Sequence, residues 1–378
     1  MADHPFYDTT DPEVNKITTK DLDRQWRRAD ALYDPKNKLV GKDEGKFPIA
    51  TWDDLQKQAG DKITKPYNFQ LSASPGVMGR NKLEGKERPI DTTTFSIVIE
   101  KLREGVYVEG EISQQRVHFN ILETGKSNLS DWHITRRAVG ACNQLAGNVY
   151  QTDLRYTGLQ AVDAVHADDF FRPNGHTTDL LVQGDTTATF DANILDEIYA
   201  IACQRTPEIK PFMVDGDPYF GFLAHDNQLA DARKSTSQFY AEWIAALQGG
   251  IAKGNPIFRR ATGLHGNILI FKETHLPRGL NASASNVPLA NTRRGVFFGA
   301  GALIQAFGRH VRNTDSPWKF FADARDHDDE AFCSASLITG QRAYGVTISG
   351  SYRRVGSLVV TTYAKDRISG QGDHGQLY

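Results

Sequence analysis

The chain has 378 residues, 39% hydrophobic and 24% charged, the profile of a soluble globular protein with room for two or three domains or one domain with insertions. A formal net charge of −2 supplies no global field for gripping nucleic acid. The three cysteines, Cys142, Cys203 and Cys333, form no CxxC pair, so buried thiols in a reducing compartment are expected rather than disulfides.

The N-terminal MADHPFYDTT has neither a positive leader nor an apolar core, so no signal peptide is expected, and the first thirteen residues read as a loose polar arm. Thr18 or Thr19 can cap a helix running to about Tyr33, with Leu22, Trp26 and Ala29 on one face, stopped by Asp34 and Pro35. A Lys- and Gly-rich linker over 36–46 and a short helix around Trp52–Gln58, closed by Gly60, follow. The stretch LSASPGVMGRNKLEGKERP carries charges and glycines with almost nothing to bury. Behind it come strand-like Phe95–Ile99 and Gly105–Gly110, so residues 71–119 read as a two-stranded excursion with a charged tip. A hairpin this polar is marginal alone and should rest on something outside its own domain.

Ser130 is the expected cap of the best helix, in which Ile134, Ala138, Ala141, Cys142 and Leu145 recur at helical spacing, Arg136 and Arg137 lie off that stripe, and Gly147 is the stop. Residues 150–192 show turns but no assignable element. Beyond them, Asp191 should cap a helix to Cys203, and Phe212–Val214 and Tyr219–Leu223 should be strands around a Gly216-Asp217-Pro218 turn. Asp226 should cap a helix to about Arg233, and Ser235 with Gln238 fits a capping box ahead of the stripe Phe239, Trp243, Leu247. Asn267–Phe271, Ala343–Ser349 and Val355–Tyr363 read as strands.

Three stretches carry an enzymatic alternative. Asn120–Ser127 ends like a phosphate-binding loop, yet Asn120 stands where the first glycine belongs. Gly299-Ala300-Gly301 follows a strand and precedes a plausible helix, but Ile304 occupies the third glycine position of a dinucleotide site. The acidic run Asp323–Glu330 could offer oxygen ligands to a cation but lacks the glycine and spacing of a calcium loop. The pairs Arg259-Arg260, Arg293-Arg294 and Arg353-Arg354 lack interleaved aromatics, which favours salt bridges or subunit contacts over nucleic acid.

The ordered set Leu55, Gly60, Asp61 and Ile63, then Gly76-Val77-Met78-Gly79 and Leu83-Glu84-Gly85-Lys86-Glu87, then Trp243, Asn255-Pro256-Ile257-Phe258, Gly263 and Gly266, and finally Gly340, Tyr344, Gly345 and Gly356–Val360 resembles the major capsid proteins of short-tailed phages, in the family typified by the Escherichia virus that packages an RNA polymerase. Asp326-His327-Asp328-Asp329 departs from the family's shorter Asp-aromatic-Gly turn. The resemblance implies an α+β, HK97-like capsid fold: an N-terminal arm over 1–70, an extended loop over 71–119, a peripheral domain over 120–193 and 311–378 with a spine helix at 130–147, and an axial α/β domain over 194–310. It further implies an interface at Arg80, Lys82, Glu84, Lys86, Glu87 and Arg88, spine-helix positions Arg136 and Arg137, and an axial turn at Trp243, Asn255, Pro256 and Phe258. The expected function is a non-enzymatic shell subunit without cofactor or metal. It would assemble with itself into hexamers and pentamers in the host cytoplasm, with portal and scaffold and with a decoration protein as an option. The shell would enclose double-stranded DNA without reading sequence, and no membrane is involved. The alternatives are a cytoplasmic α/β enzyme, or a portal or tail ring protein.

Overall fold

The computed structural model describes residues 32–33, 37–57, 59–69, 76–87, 92–108, 121–214, 216–234, 261–310, 317–325, 330–348 and 350–367. The helices expected at 18–33 and 235–247 and the turn holding Trp243, Asn255, Pro256 and Phe258 lie outside them, apart from Leu32 and Tyr33.

A seven-stranded sheet orders Phe170–Phe171, Ser357–Tyr363, Thr292–Phe298, Asp217–Ala224, Ile268–Lys272 and Ala261–His265, with Phe212–Val214 also paired to Asp217–Ala224. Alternation along its strands divides the core. Leu223, Leu269, Phe271, Val296 and Phe298 pack on one face with Ala141, Cys142 and Leu145 of a long helix, Ile121–Ala146. Phe220, Phe222, Ile268, Ile270, Phe297, Leu358 and Val360 pack on the other with Ile194, Leu195, Ile198 and Leu229 of the helices Ala192–Gln204 and Asp226–Ala232. Burial on both faces explains the near-continuous apolar runs of these strands.

The second sheet has six strands around the 14-residue strand Glu330–Ala343. Trp318–Arg325 pairs with its first half, Leu303–Phe307 with its end, and Glu100–Val108 along its other edge. Cys333, Ala335, Phe320 and Ala322 pack on Leu129 near the start of the long helix, while Trp318 and Leu337 pack on Ile134. One helix therefore serves both sheets, its first half covering the six-stranded sheet and its second half the seven-stranded one.

Several expectations hold in detail. Asp191 caps its helix, and Phe212–Val214, Asp217–Ala224, Ile268–Lys272 and Ser357–Tyr363 are strands. Others are corrected. The long helix starts at Ile121, nine residues before the expected cap, and Ser130 is buried inside it. The helix passes close to the sheet at Gly125: a β-carbon there would lie 3.0 Å from Val106 Cγ1. Ile121–Ser127 is helix, so its backbone does not form the loop that wraps a phosphate; Asn120 lies outside the described residues. Gly299–Gly301 leads into the strand Leu303–Phe307, not a helix, which removes the dinucleotide context. His225, not Asp226, caps Asp226–Ala232: its Nδ1 accepts from the Asn227 amide at 3.1 Å, and Gln228 completes the box. The expected linker contributes Val40–Gly41, a parallel strand beside Ile49–Trp52, which leaves a helix of only Asp54–Lys57. Cys142 and Cys333 are buried, but Cys203 is exposed.

The excursion pairs differently from its sequence reading. Thr92–Val98 forms a hairpin with Lys62–Asn68, while Glu100–Val108 joins Glu330–Ala343. The apolar alternation of Phe95 and Ile97 is matched by Ile63, Trp52 and Ile304, not by the strand that follows. Leu303–Phe307 also sits in the six-stranded sheet and Ser357–Tyr363 in the seven-stranded one, so both strands cross the boundaries drawn from sequence.

The long helix ends in a Schellman motif: Gly147 has φ +65°, the Asn148 amide donates to Asn143 O at 3.0 Å and the Gly147 amide to Gln144 O at 3.3 Å. A β-carbon there would overlap Val165. Gly147→Ala is expected to lower unfolding stability by about 2 kcal/mol or more, measured by chemical denaturation of unassembled protein.

Candidate assembly surface

The hairpin Lys62–Asn68/Thr92–Val98 is anchored at its base by Ile63, Phe95 and Ile97, packed with Trp52 and Tyr344. Between its strands, residues 76–87 are solvent-facing: Met78 is 86% and Leu83 58% exposed. Gly76, Gly79 and Gly85 have φ between +69° and +79°, and a β-carbon at any of them would meet nothing within 4 Å. Contacts inside the tip are local. Asn81 Nδ2 donates to Met78 O at 3.1 Å, and the Gly85 amide to Glu87 Oε2 at 2.7 Å. Arg80, Lys82, Glu84, Lys86 and Glu87 are exposed here, and Arg88 lies outside the described residues. The sequence marked the charges; it undersold Met78 and Leu83, large apolar side chains isolated in a polar stretch.

A second exposed surface lies on the six-stranded sheet, on the face turned away from the long helix. Period-2 alternation puts Cys333 and Ala335 against the helix and Phe332 and Ser334 on the opposite face. Phe332 is in register with Tyr107, 65% exposed, and its ring is 5.9 Å from that of Phe321, 40% exposed.

Arg136 and Arg137 face inward. The Arg137 guanidinium stacks on Tyr33 at 3.8 Å, and that of Arg136 on Tyr156 at 3.9 Å. They hold the helix to other segments of the same subunit.

Beneath these surfaces lies a buried charge network that the sequence only hinted at through its arginine pairs. Arg294 donates from Nη1 to Ala146 O and Gly147 O at 3.2 and 2.9 Å, and from Nε and Nη2 to Asp179 at 3.0 and 2.7 Å. Arg354 donates to Leu145 O and, at 2.9 Å, to Gln144 O. Two guanidiniums from the seven-stranded sheet and its adjoining hairpin thus meet the orphan carbonyls and negative dipole end of the long helix. The 150–192 segment supplies the carboxylates. Asp163 pairs with Arg342 at 2.8 Å, Asp169 with Arg353 at 3.3 Å and Arg205 at 3.5 Å, and Asp179 with Arg172 at 2.7 Å. Burial alone would push the Asp179 carboxyl up, but Arg294 and Arg172 outweigh it and hold the carboxyl below its ordinary value. Burial brings Arg354 down to about 10, and it lowers Arg294 against the opposing pull of Asp179. Burial likewise keeps His133 neutral, at about 4, where it lies between Trp132 and Trp318.

Among the described residues no group of three or more His, Cys, Asp or Glu is placed to hold a metal, and no helix is long and apolar enough to cross a membrane. Asp323 and Arg325 end one strand and Glu330 begins the next; Asp326–Asp329 lie outside the described residues.

A long helix shared by two sheets, with a hairpin thrown out to one side, is the architecture of an HK97-like capsid subunit. Residues 15–365 match the family model for phage capsid proteins, and the chain belongs to that family. The fold is similar to the capsid of Ralstonia phage GP4, with a TM-score of 0.72 at 21% identity over 89% of this chain and 92% of that one. It is also similar to the cyanophage Pam1 capsid, with 0.63 at 16% over 86% and 91%, and to the head of Helicobacter pylori bacteriophage KHP40, with 0.59 at 12% over 89% and 93%. No curated protein matches the sequence. The protein is a major capsid protein, a structural subunit of the virion shell.

Asp179→Asn leaves the buried Arg294 guanidinium and the half-buried one of Arg172 around a neutral group, a change expected to cost about 3 kcal/mol. Denaturant midpoints of the variant and the parent, taken on unassembled subunits, measure the loss.

Proposed function

We propose that this chain closes into hexameric and pentameric rings tiling an icosahedral shell around double-stranded DNA, with residues 76–87 of each copy lying across its neighbour. The observation that carries this reading is the exposed tip, where Met78 and Leu83 project from a segment whose hydrogen bonds among the described residues are local to the tip. Covering an exposed side chain of this kind contributes about 2 kcal/mol, and a shell repeats the contact at every subunit. Ion pairs from Arg80, Lys82, Glu84, Lys86, Glu87 and Arg88 are individually weak and set register more than affinity. The exposed Tyr107 and Phe321 offer the apolar surface such a tip would meet on the next subunit.

In this reading the six-stranded sheet and the first half of the long helix form the peripheral domain. The seven-stranded sheet with its flanking helices forms the axial domain, whose Trp243, Asn255, Pro256 and Phe258 lie toward the ring centre. A ring of this kind is a heterologous interface closed by rotation. Assembly takes place in the bacterial cytoplasm with a portal and a scaffold, and a decoration protein can add to the outside. A chain of net charge −2 leaves DNA free to move past the lining. The subunit performs no catalysis.

Deleting residues 79–88 tests the reading. The variant should keep its circular dichroism and a melting temperature within about 2 °C of the parent, because the tip buries so little, yet yield no shells in negative-stain images. Normal shells from the variant would contradict it.

A further inference from the structure

At the C-terminal end of the long helix a cleft of 290 Å³ opens between the 164–180 segment and the small hairpin Leu280–Asn281/Val287–Pro288. Its walls are small or apolar, including Gly147, Val149, Ala164 and Val165. Its charged side chains are two arginines and one aspartate, Arg172, Arg294 and Asp179. Arg172 lines it, 14% exposed, with its guanidinium stacked 4.3 Å over the Phe170 ring. Only Nε of Arg172 is engaged, donating to Asp179 Oδ1 at 2.7 Å; its two Nη groups have no hydrogen-bond partner among the described residues. Thr177 and Asn286 also line the cleft.

Asp179 is the cleft's one acidic side chain among the described residues, and its oxygens are already taken. It accepts from Arg172, twice from Arg294 and from the Leu280 amide at 3.0 Å. Two arginines around one carboxylate leave a net positive charge, and the charge that remains reachable is the Arg172 fork. Planar, paired Nη donors match the two oxygens of a carboxylate or phosphate.

We propose that this cleft is an oxyanion-binding site, in which Arg172 grips a single carboxylate or phosphate group through its Nη donors, assisted by Thr177 and Asn286. The proposal stands independently of the hairpin tip. The anion can be free in solution or be an acidic side chain reaching in from a second copy, and the chemistry of capture is the same.

The test uses full-length unassembled protein heated in phosphate and in chloride at matched pH and ionic strength. Phosphate should raise the melting temperature by about 2 °C or more at concentrations well above its Kd. Arg172→Gln should abolish that difference. Because this change also breaks the pair with Asp179, Ala282→Glu gives a second check on an exposed rim position. Its new carboxylate should occupy the cleft and remove the phosphate response without loss of folding. Repeating the comparison on shells separates the sources: a surviving response identifies a free anion, and a lost one identifies a group from the neighbouring copy. The proposal is overturned if phosphate has no effect on the parent subunit, or has the same effect on both variants.

Discussion

The end of the long helix is the point on which the rest of the molecule turns. Leu145 and Ala146 present carbonyls that the helix itself cannot satisfy, and Arg354 and Arg294 come from beyond the helix to meet them, donating to Gln144 O and Gly147 O as well. Burying two guanidiniums is costly unless charge or dipole compensates them: Asp179 accepts from the Arg294 guanidinium, and Asp169, which accepts from the Arg354 backbone amide, places negative charge near the other. The helix is thereby fastened to the seven-stranded sheet at one end while its other end lies on the six-stranded sheet. Two cores that could have been independent domains are joined through one rigid rod.

That rigidity bears on assembly. A shell subunit must hold its contact surfaces at fixed angles over many copies, so strain has to be carried by its contacts and not by its core. The described structure has this division. Its buried carboxylates Asp169 and Asp179 are paired with arginines, its seven-stranded sheet is covered on both faces, and what projects is a short polar tip with two apolar side chains, with Tyr107 and Phe321 exposed on the six-stranded sheet. Arg136 and Arg137 belong to the inner side of this division, stacked on Tyr156 and Tyr33.

The parts legible in the sequence were those governed by local periodicity and caps. The apolar runs Tyr219–Leu223 and Asn267–Phe271 and the capping Asp191 were enough to mark two strands and one helix, though not the sheet they join. The parts that were not legible depend on partners distant in the chain. Residues 150–192 have no strong pattern because their order comes from Asp163, Asp169 and Asp179, and Asp169 meets Arg353 across 184 residues. The helix start was hidden for a similar reason: Gly125 and its polar neighbours look like a loop until Val106 is brought against them. Hairpin pairing failed to show because Phe95 and Ile97 could alternate against either neighbouring strand, and only the packing of Trp52 and Tyr344 decides between them. At the candidate site the charges were visible in sequence, while the exposure of Met78 and Leu83 was not.

A cryo-electron microscopy map of particles assembled from this chain tests the account most directly, through the position of residues 76–87. The account predicts that Met78 and Leu83 are covered by the adjacent subunit, with the core around Arg294 and Arg354 unchanged from the isolated fold. A map in which the tip folds back onto its own subunit, or stands in solvent while the shell closes without it, would contradict the account.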